Sequence, residues 1–249
     1  MIMDKTVVID CFPKSAEKYL HWDAIVVVDI IRSTTTAITA LYKGRRVFPA
    51  RTTDDAFEIA YGLKKPLLAG ELGGNMPNGF EVNNSPAEVA LRGDIDRPMV
   101  LVSSSGTQLL LNTIGCSGSV YIACFRNLSA MAKHLAKRYQ RVALLGAGTR
   151  GQFRREDQMG CAWIAEKLLG LGFKEANHET LNFIAKWKGA GPQSILGGKS
   201  AEYLRQSGQE KDLDFILQYM DDLDFIPMFI NGEIIPFSGN GFPSFPSKG

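Results

Sequence analysis

Four carboxylates stand where segments that predict β-strands give way to loops or helices. Asp29 ends an apolar segment, Glu71 follows a second, and Glu156 and Asp157 open a helix after a third. Loops at the carboxyl ends of parallel strands share one edge of a sheet, so these side chains are expected to converge there. Carboxylates beside anion-binding groups are what a Mg²⁺-phosphate site requires. For Glu156 and Asp157 a second explanation stays open, because acidic residues in a first helical turn are favourable through the helix dipole alone.

The groups suited to binding an anion follow Asp29. Arg32 comes three positions later, and the hydroxyl residues Ser33, Thr34 and Thr35 begin a helix. Free N–H groups at a helix N-terminus bind anions, and a guanidinium binds a phosphate or sulfonate through two hydrogen bonds. A purely structural alternative, in which Ser33 caps the helix and Arg32 pairs with Asp29, is equally compatible with these residues.

Two further loops are rich in oxygen ligands. Residues 70–86 contain Glu71, Asn84 and Ser85 and show no obvious element of their own. Loops of this length in compact domains are usually functional or disordered. Another predicted strand runs into small hydroxyl residues and glycine, which form a backbone nest for an oxyanion. That segment includes Ser104, Ser105, Gly106 and Thr107.

One glycine pattern indicates a different function. Gly146, Gly148 and Gly151 follow a predicted strand with the spacing of the dinucleotide-binding fingerprint. In that fingerprint the third glycine lies inside a helix, and an acidic residue ends a strand about twenty positions on. Here Gln152-Phe-Arg-Arg follows and no such strand is evident, so a dinucleotide-dependent oxidoreductase is the weaker alternative.

The elements that must position these residues alternate along the chain. β-Branched runs alternate with helical patterns from residue 5 to about 170, which is typical of βαβ units. The predicted strands are Thr6–Asp10, Ala24–Ile30, Arg46–Pro49, Pro66–Ala69, Met99–Ser103, Ser119–Cys124 and Arg141–Leu145. The apolar runs 25–28 and 142–145 are typical of interior strands covered on both faces. The predicted fold is α/β, a three-layer α/β/α arrangement with a largely parallel or mixed sheet.

The C-terminal part of the chain has a different pattern. Residues 170–222 are predicted to form a helical appendage packed on the sheet. Asn231-Gly232 between two short apolar runs is a strong β-hairpin signal, and this hairpin is expected to close the fold as an edge ribbon. A single domain over residues 1–237 and a flexible tail over 238–249 follow from these patterns.

Composition excludes several classes of function. The 28 Lys and Arg residues nearly balance 26 Asp and Glu residues, so neither a polybasic arm nor a nucleic-acid partner is predicted. No signal-peptide pattern or run of ~20 apolar residues occurs, so a cytoplasmic protein without a membrane partner is expected. The four cysteines include no CxxC pair, which argues against a disulfide framework or a structural zinc.

In this order, the motifs resemble those of the 2-phosphosulfolactate phosphatase family, Mg²⁺-dependent acid phosphatases of coenzyme M biosynthesis. Residues 26–36 are similar to the family's Asp-x-x-Arg-Ala-Thr-Thr-Thr segment, and residues 79–86 to its Gly-Phe-Asp-x-x-Asn-Ser-Pro. Residues 147–149 with the Glu156-Asp157 pair are similar to its Ala-Gly-Thr and Glu-Asp motifs. Matches near residues 214–215 and 226–227 extend the resemblance over nearly the whole chain.

The chain departs from the family pattern at residues that concern the substrate. Leu72 stands where the family usually has the Arg of Gly-Glu-Arg-Gly-Gly. Ser105 stands where it has the Asn of Thr-Thr-Asn-Gly-Thr, and Glu81 replaces an Asp. The loss of a guanidinium is expected to weaken the binding of a doubly anionic substrate.

The resemblance implies a phosphoric monoester hydrolase that converts 2-phosphosulfolactate and water to sulfolactate and phosphate. Its expected catalytic residues are Asp29, Arg32, Glu156 and Asp157, with Mg²⁺ held by the three carboxylates. The small anionic phosphate ester would contact Ser33, Thr34, Thr35, Glu71, Asn84, Ser85, Ser104, Ser105, Gly106 and Thr107. The attacking group is either Asp29 or a metal-activated water. A homo-oligomer is compatible with the sequence, and a non-catalytic anion-binding homologue is a further alternative.

Overall fold

One mixed sheet runs through the residues that the computed structural model describes, which are 4–149 and 151–237. Its strands are β1 (Thr6–Cys11), β2 (Ala24–Val28), β3 (Val47–Ala50), β4 (Leu67–Gly70), β5 (Met99–Val102), β6 (Ser119–Ala123), β7 (Arg141–Gly146), β8 (Lys174–Glu175), β9 (Pro227–Ile230) and β10 (Glu233–Pro236). Their order across the sheet is β4-β5-β3-β10-β9-β6-β2-β7-β1-β8. Only the pairs that include β9 or β10 are antiparallel among the described strands. The predicted α/β fold with a mostly parallel, mixed sheet is confirmed.

The apolar runs identify the centre of the parallel half of the sheet. β2 lies between β6 and β7, and every residue from Ala24 to Val28 is fully buried. β7 lies between β2 and β1, and Val142–Leu145 are fully buried as well. Strands with both faces covered by helices need apolar side chains at every position, because neither face contacts water.

Helices follow the strands and cover the sheet. They are α1 (Ser33–Tyr42), α2 (Thr53–Tyr61), α3 (Pro86–Leu91), α4 (Gly106–Leu111), α5 (Leu128–Arg138), α6 (Arg155–Leu169), α7 (His178–Trp187), α8 (Lys199–Gln206) and α9 (Glu210–Gln218). Short 3₁₀ helices span Pro13–Tyr19, Phe125–Asn127 and Pro192–Gly197. The loops that precede α1, α4 and α6 leave the carboxyl ends of β2, β5 and β7, and these loops together with the first turns of the three helices contain most of the predicted site.

The β9–β10 hairpin forms, but its predicted position at the edge of the sheet is wrong. Asn231 and Gly232 have φ angles of 50° and 81°, the left-handed pair that a tight type I′ turn requires. The hairpin lies between β3 and β6, where it joins the two parallel halves of the sheet. Those strands would otherwise each leave a row of unpaired backbone groups, which the antiparallel hairpin satisfies. The hairpin signal in the sequence is local, and it does not specify which strands will flank the hairpin.

The helices of residues 170–222 contact both the sheet and the loops at its edge. α7 contacts α6 and β1, whereas α9 contacts α3 and α8. The tail predicted for residues 238–249 lies outside the described residues. In the part of the chain that the structure describes, no helix combines the length and the apolar character needed to cross a bilayer.

Candidate active site

The turn from β2 into α1 holds Asp29 in a fixed place. The backbone N–H of Thr34 donates to the carbonyl oxygen of Asp29 at 3.0 Å, and the Thr34 hydroxyl accepts from the Asp29 N–H at 3.0 Å. The same hydroxyl lies 2.8 Å from the carbonyl oxygen of Ala123, and Thr35 donates to the carbonyl of Ile30 at 2.8 Å. The hydroxyl residues of this segment therefore stabilise the loop itself.

The carboxylate of Asp29 lines a cavity of about 470 Å³ at the carboxyl edge of the sheet. Asp29 is only 7% exposed. Burial raises the pKa of Asp29 to about 7, and the negative charges of Glu71 and Glu156 add to the rise. A backbone hydrogen bond from Ser33 and the charge of Arg32 oppose it. A carboxylate this crowded by like charge stays ionised at neutral pH only with a compensating cation nearby.

Glu71 joins two of the predicted loops into one wall of the cavity. Its Oε1 accepts from the backbone N–H of Ser104 at 2.8 Å. Its Oε2 accepts from the Ser104 hydroxyl at 2.9 Å and from the N–H of Gly74 at 2.7 Å. The long loop 70–86 is thus tied to the β5–α4 loop through one carboxylate. This bonding does not fit the alternative in which the loop is disordered.

Asn84 and Ser85 have different surroundings. Asn84 lines the cavity, is 2% exposed, and its Oδ1 has no hydrogen-bond partner among the described residues. A buried amide oxygen without a partner costs stability, so it is a candidate contact for a ligand. The Ser85 hydroxyl instead accepts from the N–H of Glu88 at the start of α3 and donates to Asp212 at 2.6 Å.

Arg32 lines the cavity but does not pair with Asp29. Its Nη1 donates to Asp212 and to Gln209, both at 2.6 Å, and its Nη2 donates to Asn83 at 3.3 Å. Arg32 and Asp212 are almost entirely buried. Asp212 also accepts from the backbone N–H of Ala87. The α9 helix therefore fixes the guanidinium through a fully buried carboxylate.

Glu156 and Asp157 open α6 close to Asp29 without lining the cavity. The Asp157 carboxylate accepts from the backbone N–H groups of Ile30 at 2.9 Å and Gly148 at 3.3 Å. Burial, followed by the charges of Asp29 and Glu156, raises the pKa of Asp157 well above its usual value. Burial also raises the pKa of Glu156, whose Oε2 has no hydrogen-bond partner among the described residues.

The predicted site residues divide into two groups. Those that line the cavity are Asp29, Arg32, Glu71, Asn84, Ser104 and Ser105. Those that lie behind it, buried in the loops and helix starts, are Ser33, Thr34, Thr35, Ser85, Gly106, Thr107, Glu156 and Asp157. Gly106 has a specific role there, because a Cβ on it would lie 2.3 Å from Oδ2 of Asp29.

The described residues do not present a ready-made cluster of three His, Cys, Asp or Glu side chains around one metal position. The charges of Glu71 and Glu156 nevertheless help to raise the pKa of Asp29, and those of Asp29 and Glu156 help to raise the pKa of Asp157, so these carboxylates lie near one another. Hard oxygen donors with excess negative charge are a donor set that suits Mg²⁺. A magnesium ion at this site stays a prediction.

Several cavity residues have no counterpart in the sequence prediction. They are Thr149, Gln152, Arg154, Lys199, Ser200 and Tyr203, together with Asp212 behind the cavity. Arg154 stands two positions before Glu156 of the predicted Glu-Asp pair, and this proximity was the available signal. Lys199 and Asp212 come from the helical appendage, where the sequence shows amphipathic helices and the one available signal was the family match at residues 214–215, close to Asp212.

The glycine pattern at residues 146–151 does not form a dinucleotide site. Thr149 and Gln152 exchange two backbone hydrogen bonds, so Gly151 belongs to a tight turn that ends before α6 begins. A Cβ at Gly146 would lie 2.2 Å from the Phe153 ring, which shows that this glycine makes room for an aromatic side chain. In the fingerprint the third glycine lies within the helix, and here it does not.

The fold and the cavity together define an α/β protein whose strand-end loops bring carboxylates and cations to one cavity. The family model for 2-phosphosulpholactate phosphatase matches residues 11–232. The chain therefore belongs to that family, and the resemblance inferred from the motifs is confirmed. The expectation of a phosphoric monoester hydrolase is confirmed at the level of the family.

Two similar proteins extend over most of the chain. A probable 2-phosphosulfolactate phosphatase of Deinococcus radiodurans is 30% identical over 218 residues, which make up 86% of this chain and 90% of that protein. A protein of Thermotoga maritima with the same name is 30% identical over 213 residues, or 84% of this chain and 90% of the relative.

Proposed function

We propose that the protein hydrolyses a small anionic phosphate monoester, with 2-phosphosulfolactate as the ester and sulfolactate and phosphate as the products. The observation that carries the proposal is the buried carboxylate of Asp29 at the cavity, with its pKa raised to about 7 by burial and by Glu71 and Glu156. Strongly perturbed carboxylates in a cleft are typical of catalytic sites. The family match and the names of the relatives supply the reaction class.

The proposal includes Mg²⁺ as the cofactor, with Asp29, Glu156 and Asp157 as the residues that would hold it. The unpartnered Oε2 of Glu156 supports this assignment, because a buried acceptor without a donor is stabilised by a cation. When bound, the ion supplies neutralising charge for the phosphoryl oxygens and makes phosphorus more electrophilic.

The other residues of the chain would orient the ester. Asn84, Ser104 and Ser105 offer polar groups along the cavity, and Arg32 is held in one orientation by Asp212. In the net reaction the oxygen of water forms a bond to phosphorus and the bond between phosphorus and the ester oxygen breaks. The ester oxygen takes up a proton from that water and leaves as an alcohol. An ionised Asp29 serves both routes, either attacking phosphorus itself or orienting the attacking water.

The test is phosphate release from 2-phosphosulfolactate by the purified protein, with Mg²⁺, with EDTA, and with Mg²⁺ restored after EDTA. We expect turnover that EDTA abolishes and Mg²⁺ restores. Asp29→Asn is expected to lower kcat by ~10²-fold or more, because the amide cannot attack phosphorus and, without a charge, is a weaker ligand for a cation. Asp10→Asn is the matched control, since Asp10 is also a carboxylate at a strand end but bonds Ser15, Lys18 and Tyr19 away from the cavity.

Each rival function gives a different result in the same experiment. Binding of sulfolactate or phosphate without turnover would indicate a non-catalytic anion-binding homologue. Tight binding of NAD or FAD that does not depend on Mg²⁺ would indicate the oxidoreductase alternative. Wild-type turnover by Asp29→Asn would remove Asp29 from the mechanism.

A further inference from the structure

The cavity is lined by cations as well as by the carboxylates of Asp29 and Glu71. Its lining includes Arg32, Arg154 and Lys199. The charge of Arg32 is matched by Asp212 at 2.6 Å, with both side chains buried. Arg154 and Lys199, in contrast, form no ion pair within residues 4–149 and 151–237. Two cations that line one cavity and form no ion pair with the described residues are suited to binding an anionic ligand group.

The surroundings of Arg154 point to a missing partner. Its Nε is buried and has no hydrogen-bond acceptor among the described residues, while its Nη1 reaches only Gln152, at 3.3 Å. A buried donor without an acceptor costs ~1–3 kcal/mol. Asn84, almost fully buried on the same cavity, likewise has an unpartnered Oδ1. The Arg154 donor is satisfied by an anionic acceptor, whereas the Asn84 acceptor needs a hydrogen-bond donor or a cation, so Arg154 is the group that indicates an anion.

The α8 helix packs through Tyr203 against the loop in which the family's arginine is replaced by Leu72. The contact is close, because a Cβ at Gly74 would lie 2.3 Å from the hydroxyl of Tyr203 on α8. Lys199, Ser200 and Tyr203 of this helix all line the cavity. The side chain of Leu72 itself is 41% exposed and carries no charge. The helix therefore supplies a cation, the exposed Lys199, to the same cavity as Arg154.

We infer that Arg154 and Lys199 bind the second anionic group of the substrate, its sulfonate or carboxylate, and so determine specificity for an ester with a negative charge beyond the phosphate. This inference rests on the proposed function, in which the carboxylates hold the cation that faces the phosphoryl group. The cavity of about 470 Å³ lies within the range of small-molecule sites and exceeds what a phosphoryl group alone occupies.

The first arm of the test measures specificity. The substitutions Lys199→Met and Arg154→Gln are compared on 2-phosphosulfolactate, on 2-phospholactate, which lacks the sulfonate, and on isopropyl phosphate, which lacks both groups. For each variant we expect the loss of kcat/KM on 2-phosphosulfolactate to exceed the loss on isopropyl phosphate by ~10-fold or more. An effect that persists on 2-phospholactate assigns the carboxylate to these residues, and one that disappears assigns the sulfonate. Equal losses on 2-phosphosulfolactate and isopropyl phosphate would overturn the inference.

The second arm measures binding without turnover, so it remains informative if the proposed hydrolysis is not observed. Sulfolactate, which carries both anionic groups and no phosphate, is titrated calorimetrically into the wild type and each variant. We expect its Kd to rise ~10-fold or more in Lys199→Met and in Arg154→Gln. Arg205→Gln is the control, since Arg205 lies on the same helix but donates to the carbonyl of Leu196. Unchanged sulfolactate binding in the two variants, or an equal loss in the control, would overturn the inference.

Discussion

Gly106 allows the sharpest test of how Asp29 is positioned. A Cβ added there would lie 2.3 Å from Oδ2 of Asp29 and 2.7 Å from both Cβ and Oγ of Ser33. Ordinary contacts of carbon with other heavy atoms lie near 3.5 Å, so Gly106→Ala forces the carboxylate or the start of α4 to move by roughly 1 Å. The glycine has an ordinary negative φ, so alanine adds no backbone strain and crowding is the whole effect.

Two magnitudes follow from this crowding. Overpacking of a dense site costs ~1–3 kcal/mol of folding stability. Displacement of a reacting group by 1 Å can lower the rate ~10²-fold. We therefore expect Gly106→Ala to fold, to unfold at a lower urea concentration, and to lose ~10²-fold in kcat/KM for 2-phosphosulfolactate at saturating Mg²⁺.

The matched control is Gly118→Ala, which meets similar crowding away from the site. Its Cβ would lie 2.2 Å from the carbonyl oxygen of Trp22 and 2.3 Å from that of Asp23. Gly118 does not line the cavity that contains Asp29, so this variant should lose stability while each folded molecule keeps its activity. Gly62→Ala, where the nearest atom is 3.6 Å away, calibrates a substitution without crowding. If Gly106→Ala retains wild-type kcat/KM while its stability falls, then Asp29 is not held for catalysis by this contact and the reasoning is refuted.

Three further outcomes are expected. Asp212→Asn leaves the buried charge of Arg32 uncompensated and should lower the free energy of unfolding, measured with urea, by ~3–5 kcal/mol. A loss below ~1 kcal/mol would show that the fold does not require this ion pair. Burial, followed by the charge of Arg138, lowers the pKa of His134 to about 4, below its unfolded value. The contribution of neutral His134 to folding stability is therefore complete above the unfolded pKa of ~6.5, and up to ~3 kcal/mol is lost as the pH falls toward 4. His134→Phe should remove that part of the pH dependence of urea unfolding. Burial raises the pKa of Cys11 and Cys124 to about 12, so a thiol reagent at pH 8 should label them only after denaturation, and rapid labelling of the native protein would contradict their buried placement.

The sequence predicted local structure well where apolar periodicity and turn chemistry agree. Every strand predicted between residues 6 and 145 is present, and the Asn231-Gly232 turn forms as expected. The short strand β8 was not predicted, because Lys174 and Glu175 are both exposed and show no strand pattern. The position of the hairpin in the sheet was predicted wrongly, since it depends on which distant strands lack partners.

In the candidate site, too, the sequence predicted which segments take part but not how their side chains pair. Motif order and strand-end placement were sufficient to select Asp29, Glu71, Asn84 and the β5–α4 loop, all of which reach one cavity. They were not sufficient to show that the hydroxyls of Thr34 and Thr35 bond within their own loop. Hydrogen-bond partners distant in sequence decide whether a polar group is free for a ligand, and a single sequence does not contain that pairing.

The sequence by itself determined the α/β class, the family and the carboxylates at the strand ends, because each is encoded in contiguous segments of characteristic composition. Only the tertiary structure decided the partner of Arg32 and the sources of the remaining cations. Asp212 and Lys199 follow Arg32 by more than 160 positions, yet the packing of α8 and α9 on the loops brings Lys199 to the cavity and Asp212 behind it, against Arg32. Contacts between segments so far apart follow from the shape of the whole fold, and no local pattern of residues specifies them.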